Sequence, residues 1–537
     1  MESYPIEIEH LTFRYRSREE NALEDISLKV KKGQIVLIAG TSGCGKTTLA
    51  RCINGLIPRS YKGDISGEIR LMGQSIQNMT LAKISQMIGT VLQDPERQIL
   101  GSQVKNEVAF GLENLSYPRE EIIKGVEAAL SRLNILDLAD RETFSLSGGE
   151  KQKIALAGVL AMKPSILLLD EPLASLDPAS AQETLQIIRS LADEGMTVLM
   201  VEHRVEDVLG IHPDRILYLD KGKIVYDGSI EAITDAVDYR EVKLPAKIVM
   251  HKAKADQPMP ALISLVESKK DVQAAPLVEF KNVAFGYDKE RIVLHEINLS
   301  INKGDIIALL GANGAGKTTM VKHAIGLLKP VSGTVLVEGK DTKEMSVAEI
   351  ANTLGYVFQS PSHMLFAPTV RDELSFGPKN LKHSPEDIEN SVNQSLEIVN
   401  LSEMIDTPPL AMSFGQQKRI SIAAILAMHS KILVMDEPTA GQDYKNYTEF
   451  MNAIVQLPNF DAILFITHDI DLAQIYANRV LLFNDGRIVC DGTPQDALKD
   501  YRRLKDCRLV PSSLLDENLR FFPQTGKFLR AEQLAHL

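Results

Sequence analysis

Cysteine is scarce in this chain: Cys44, Cys52, Cys490 and Cys507 are the four among 537 residues. They form no metal-type spacing and are too few for a disulfide framework, so a reduced, cytoplasmic protein is expected. Long hydrophobic runs are missing too. No segment approaches the roughly 18 unbroken apolar residues of a membrane span, and the opening MESYPIEIEH lacks a signal-peptide pattern. Any membrane role therefore needs a partner. A basic excess is also absent: 59 Lys and Arg face 71 Asp and Glu, a formal charge of −12, which argues against a broad nucleic-acid footprint. What remains is 44% hydrophobic and 24% charged, the composition of a soluble globular protein. The length exceeds one ordinary core and implies two or more domains.

The chain repeats itself. GTSGCGKT at 40–47 recurs as GANGAGKT at 311–318, and LLLDEP at 167–172 recurs as LVMDEP at 433–438. LSGGEKQKI (146–154) recurs as MSFGQQKRI (412–420), with Phe414 where the first copy has Gly148. ILYLDKGKIVYDG (216–228) parallels VLLFNDGRIVCDG (480–492), strand–turn–strand text with Asp485-Gly486 at the turn. Two homologous domains are expected over 1–235 and 277–500. Residues 236–276, rich in Ala, Lys and Pro without a clean period, are expected to be a linker. About 40 flexible residues have an end-to-end distance near 35 Å, enough to hold two domains together. The tail 501–537 has no repeat partner and receives no role.

Each half alternates short apolar runs with helical text. QIVLIA, ILLLD and TVLMV read as buried parallel strands, as do IIALL, ILVMD and AILFI. The implied fold is α/β with a P-loop at the end of a strand.

Both glycine-rich stretches satisfy G-x-x-x-x-G-K-[ST] between a strand and a helix. The first runs Gly40, Thr41, Ser42, Gly43, Cys44, Gly45, Lys46, Thr47, followed by Thr48; the second runs Gly311, Ala312, Asn313, Gly314, Ala315, Gly316, Lys317, Thr318, followed by Thr319. Their backbone N–H groups suit phosphate, the lysines suit β/γ oxygens, and the Thr47 and Thr318 hydroxyls suit Mg²⁺. Asp170 and Asp436 end apolar strands and suit Mg²⁺; Glu171 and Glu437 follow where a water could be polarised. Taken alone, either glutamate is equally well a solvated loop carboxylate. Ser147 with Glu150, and Ser413 with Gln416, have capping-box spacing. With Gly148 and Gly149, or Phe414 and Gly415, they open helices whose free N–H groups favour phosphate. His203 and His468 follow strands, as do Gln93 and Gln359, while Tyr15 and Tyr287 close alternating strands and suit adenine stacking. Cys44 is either a small buried filler or a thiol activated by Lys46 and the loop N–H groups.

The full set resembles the nucleotide-binding subunits of ABC transporters, everywhere except linker and tail. That resemblance implies two tandem P-loop NTPase domains, each with a mainly parallel core sheet, an antiparallel β subdomain and a helical subdomain. It implies ATP and Mg²⁺ as cofactors, Gln93 and Gln359 as links between Mg²⁺, γ-phosphate and a membrane partner, His203 and His468 as switch histidines, and Asp177 and Asp443 at the D-loop position. It also implies head-to-tail pairing of the two domains, so that MSFGQQ serves the ATP held by Lys46 and LSGGEK that held by Lys317. VLQDPERQILGSQVKNEVAFGLEN (91–114) and VFQSPSHMLFAPTVRDELSFGPKN (357–380) look like the ATPases of energy-coupling factor transporters, the vitamin and transition-metal importers. Such ATPases work with a transmembrane coupling protein and a substrate-binding membrane protein, on the cytoplasmic face. Phe414 and Gln442-Asp443-Tyr444 depart from the family pattern. Tandem ABC translation factors and fused sugar-import ATPases share the layout. The short linker and acidic charge speak against the first, the intact GANGAGKT against the second.

Overall fold

The computed structural model describes residues 4–174, 176–255, 275–288, 292–439, 442–457 and 460–537. Two compact units emerge, Met1–Lys252 together with Asp443–Lys445, and Ala253–Gln442 together with Asn446–Leu537.

In the first unit the strands Ile35–Gly40, Ile166–Asp170 and Thr197–Val201 are buried along their whole length, as continuous aliphatic runs require. They lie in a six-stranded sheet ordered Lys223–Gly228, Arg215–Asp220, Ile35–Gly40, Thr197–Val201, Ile166–Asp170, Ile88–Val91. All neighbours are parallel except the edge pair 215–220 and 223–228. The register sets Asp170 opposite Val201, and Val201 opposite Ile38. The P-loop and the residues after both neighbouring strands thus share one carboxyl edge, where open α/β sheets bind ligands. The second unit repeats the order with Arg487–Gly492, Arg479–Asn484, Ile306–Gly311, Ala462–Thr467, Ile432–Asp436 and Leu354–Val357. Asp436 there faces Ile466.

Each unit adds a four-stranded antiparallel sheet, Leu23–Val30, Ile6–Tyr15, Gly63–Leu71, Gln74–Ser75 in one and Ile292–Ile301, Val278–Gly286, Ser332–Val337, Lys340–Asp341 in the other. Phe13, Leu23, Ile38, Leu49, Leu168 and Leu217 belong to one core that joins both sheets to the P-loop helix. Each such side chain stabilises by about 1.5–3 kcal/mol when fully buried. Three helices, Val104–Asn114, Arg119–Arg132 and Gly148–Ala161, pack together as the helical subdomain, matched by Val370–Asn380, Pro385–Ile398 and Phe414–Ala427. The expected edge hairpins turn through Lys221-Gly222 and Asp485-Gly486, all four at positive φ, the geometry of a two-residue hairpin loop.

The expected linker and tail both carry structure. Residues 236–252 group with the first unit; Tyr239, Val242, Leu244 and Val249 are buried, and Ala246–Ala253 is a helix. The helix is a short one inside an irregular segment, which is why no period was visible. Residues 256–274 of the expected linker lie outside the described residues. The tail is helical over Tyr501–Asp506, Ser513–Thr525 and Ala531–Leu534, and belongs to the second unit. Fully buried Asn518 fastens it: its amide donates to Gln474 Oε1 (3.1 Å) and Leu529 O (2.8 Å), and its Oδ1 accepts from Leu529 N (2.7 Å). Arg530 adds hydrogen bonds to Tyr476 and Asn452. Asn518→Ala strands both Leu529 backbone groups, at about 1–3 kcal/mol for each unpaired group. Limited proteolysis of the full chain should then cut the tail first and faster than in the parent. An unchanged cleavage rate would contradict this anchor.

Candidate active sites

Each P-loop leaves its strand and enters a helix, Lys46–Ile53 or Lys317–Ala324. Gly45 and Gly316 stand at the helix entry with φ of 110° and 104°. A side chain on Gly45 would meet the Ala22 carbonyl at 2.5 Å, whereas one on Gly43 would meet nothing within 4 Å. The loop is therefore tight against the protein behind and open in front, as a phosphate cradle must be. Lys46 Nζ donates to the Gly40 and Thr41 carbonyls at 2.9 and 2.8 Å, and Lys317 Nζ to Gly311 and Ala312, both at 2.7 Å. Both ammonium groups arch over their own loops.

The strand-end carboxylates lie beside them. Thr47 Oγ1 donates to Asp170 at 3.3 Å, and Thr318 Oγ1 to Asp436 at 3.0 Å. Glu171 and Glu437 have φ of 50° and 45°, a left-handed backbone that non-glycine residues seldom adopt. Glu171 Oε1 meets His203 Nε2 at 2.9 Å, and its Oε2 accepts from the Gln93 amide at 2.7 Å. Glu437 Oε1 meets His468 Nδ1 at 3.0 Å. Gln359 is exposed and, among the described residues, makes no hydrogen bond like that of Gln93. The glutamine pair is thus equivalent in sequence and unequal in geometry.

Burial pushes the Asp170 carboxyl up to about 6, assisted by the charge of Glu171. Burial also raises Asp436. On Glu171, burial is outweighed by the hydrogen bond and charge of His203, and the carboxylate sits below its ordinary range. Glu437 is likewise lowered: His468, Lys317 and Lys418 overcome its burial. Each pair therefore divides into a carboxyl inclined to hold a proton and one inclined to stay ionised. Burial raises the Cys44 thiol against the opposing pull of Lys46. Cys44 is 4% exposed, the placement of a buried filler.

The other expected residues fall around these groups. The Tyr15 hydroxyl lies 3.1 Å from Thr48 Oγ1, and that of Tyr287 3.2 Å from Thr319 Oγ1, which sets both rings beside their P-loop helices. Both capping boxes form. Ser147 Oγ accepts from Glu150 N at 3.3 Å and Ser413 Oγ from Gln416 N at 3.4 Å, with Glu150 and Gln416 reaching back to the serine N–H groups. Phe414 occupies the first helical position without disturbing the cap backbone. Asp177 caps the helix Pro178–Asp193 through Ser180 N at 2.9 Å.

Nucleotide and Mg²⁺ fit this donor set. Among the described residues no group of three or more His, Cys, Asp or Glu side chains gathers for a metal. A threonine hydroxyl and one aspartate at the mouth of a phosphate cradle suit an oxygen-seeking cation that arrives with phosphate and retains water. Three residues of these sites escaped the sequence reading. Tyr356 donates to Asp436, Lys418 to the Glu437 carbonyl, and buried Glu202 accepts from Leu173 N and His203 N. The aligned halves carry the signal, since Thr90, Gln152 and Thr467 stand in the corresponding places.

The family model of the ABC transporter matches residues 23–174 and 294–440. The chain belongs to this family, and its two ATP-binding domains hydrolyse ATP in the service of transport. Relatives provisionally named ABC transporter ATP-binding proteins match nearly end to end. One from Caldanaerobacter subterraneus is 37% identical over 98% of this chain and 97% of its own length. One from Streptococcus pneumoniae is 38% identical over 95% and 94%. A solved structure, cbiO1 of Clostridium perfringens, described as part of the ABC transporter complex cbiONQ, is 31% identical, covering 47% of this chain and 98% of that one, with a TM-score of 0.41.

Glu202 offers a pH test. Full burial, with the charge of Glu171 second, lifts its carboxyl to about 7 from an ordinary 4.5. The folded state thus binds the proton more tightly than the unfolded state. Its stabilising effect is complete below about pH 4.5 and is lost as pH rises through about 7. Relative to the parent, Glu202→Gln should gain thermal stability as pH is raised from about 5 to about 8.5. Parallel melting-temperature profiles would contradict the burial of an ionisable carboxyl there.

Proposed function

We propose that this chain is the fused, double ATPase of an energy-coupling factor importer for a vitamin or a transition-metal ion. The observation that carries the chemistry is the repeated cluster of P-loop lysine, strand-end Asp-Glu pair and histidine at one sheet edge. In this reading Glu171 and Glu437 are the general bases and His203 and His468 orient them. Asp170, Asp436, Thr47, Thr318, Gln93 and Gln359 serve the cation, and Tyr15 and Tyr287 stack on adenine. The signature segments at 147–150 and 413–416 contact the nucleotide of the opposite half, head to tail. ATP binding closes the halves, and hydrolysis reopens them.

The importer type is supported by the F-G-x-x-N phrase in both halves and by LFAPTV. No helix among the described residues is long and apolar enough to cross a membrane, so passage of substrate belongs to partners. Docking through the segments after Gln93 and Gln359 is supported by their exposed apolar side chains: Leu100 and Phe110 in the first unit, Phe366 and Phe376 in the second. The chain then sits at the cytoplasmic face of the membrane through a transmembrane coupling protein and a substrate-binding protein.

Removing a general base costs about 10²–10⁴ in rate. Glu171→Gln with Glu437→Gln should abolish turnover while ATP still binds, and tagged chain should co-purify with membrane proteins. Near-normal hydrolysis by the double variant would overturn the base assignment, and recovery with ribosomes alone would overturn the importer reading.

A further inference from the structure

The two sites differ in what stands behind their carboxylates. In the second unit the buried Tyr356 hydroxyl donates to Asp436 Oδ2 at 2.8 Å, the same oxygen that accepts from Thr318 at 3.0 Å. Two donors fix that oxygen and leave Oδ1 free of both. Tyr356 is itself held edge-to-face by Phe358, with ring centroids 4.8 Å apart. In the first unit Thr90 takes the corresponding place; its hydroxyl meets Asn54 at 3.5 Å, and Asp170 accepts from Thr47 alone among the described residues.

The second difference lies one residue on. Lys418, 1% exposed, extends from the Phe414–Ala427 helix and donates to the Glu437 carbonyl at 3.0 Å. That carbonyl belongs to a residue held at φ 45°. The ammonium gives that backbone a charged donor that, among the described residues, the matching left-handed residue Glu171, at φ 50°, does without. Gln152 occupies the equivalent position in the first unit and, among the described residues, donates nothing to Glu171. Burying a lysine costs several kcal/mol unless hydrogen bonds and opposite charge compensate. Its placement against an Asp-Glu pair supplies both.

We infer that Tyr356 and Lys418 are positioning residues confined to the second unit. Tyr356 sets the rotation of the Asp436 carboxylate, and Lys418 supports the backbone that carries Glu437, a pair of supports that the Lys46 site lacks among the described residues. The inference rests on the ATPase reading of Asp436 and Glu437, and the Glu→Gln pair above tests that reading separately.

The test has two arms. In a Lys46→Met protein, which leaves the second P-loop as the phosphate site, Mn²⁺ is titrated by EPR against a non-hydrolysable ATP analogue. Tyr356→Phe should raise half-saturation by about 10-fold, the usual scale for loss of an outer-shell partner, with cation-free nucleotide affinity unchanged. In a Glu171→Gln chain, where turnover falls to the Lys317 site, Lys418→Gln should lower kcat by about 10-fold or more with KM for ATP nearly constant, and Lys418→Arg should restore most of it. The inference is overturned if Tyr356→Phe leaves the Mn²⁺ curve in place. It is also overturned if Lys418→Gln retains parental kcat, or if Arg fails to rescue. Should the Lys418 variants not fold, Tyr356→Phe, which removes one oxygen, decides the matter.

Discussion

Two adjacent carboxylates at the end of a buried strand are the constraint around which each unit is organised. Asp170-Glu171 and Asp436-Glu437 are all less than one-tenth exposed. Their charges repel: Glu171 helps raise Asp170 and Glu437 helps raise Asp436, on top of burial. The fold meets that repulsion with a threonine hydroxyl, a histidine and the P-loop lysine in both units. Parallel registry then delivers these partners to one edge, because the P-loop strand and the His-bearing strand are direct neighbours. Left-handed backbone at both glutamates turns the second carboxylate out of the sheet, toward the histidine.

The same balance gives each carboxylate a different character. The aspartates are pushed toward the protonated side by burial, and binding of a cation would reverse that. The glutamates are held ionised by their histidine partners, the state a general base requires. In the proposed mechanism the first is the carboxylate that answers to cation and nucleotide and the second the one that polarises water. The halves achieve this by unequal means, with Gln93 bonded to Glu171 in one and Tyr356 and Lys418 behind the pair in the other.

Much of this was legible in the sequence because a strand-end motif carries its own backbone context. GTSGCGKT and GANGAGKT follow apolar runs and precede helices, and duplication excluded coincidence. Ser147, Ser413 and their partners at i+3 are local, so their caps were readable from spacing alone. Long-range contacts were not. Lys418 reads as one charge in a helical stretch and Tyr356 as one aromatic in a strand; only the fold brings them to Asp436 and Glu437. The tail and residues 236–253 were opaque for another reason: they have no repeat partner, and short helices in irregular chain leave no period. Cys44 was ambiguous because a lysine and burial pull a thiol in opposite directions, and only the structure tells which wins.

Whether each ATP is completed by the opposite half is tested most directly at Phe414. Placed in a Glu437→Gln protein, Phe414→Gly should change turnover at the Lys46 site, with nucleotide occupancy measured alongside rate. In a Glu171→Gln protein the same substitution should leave binding at the Lys317 site almost unaltered. An effect confined to the Lys317 site would mean that each half completes its own site, and head-to-tail sharing would be refuted.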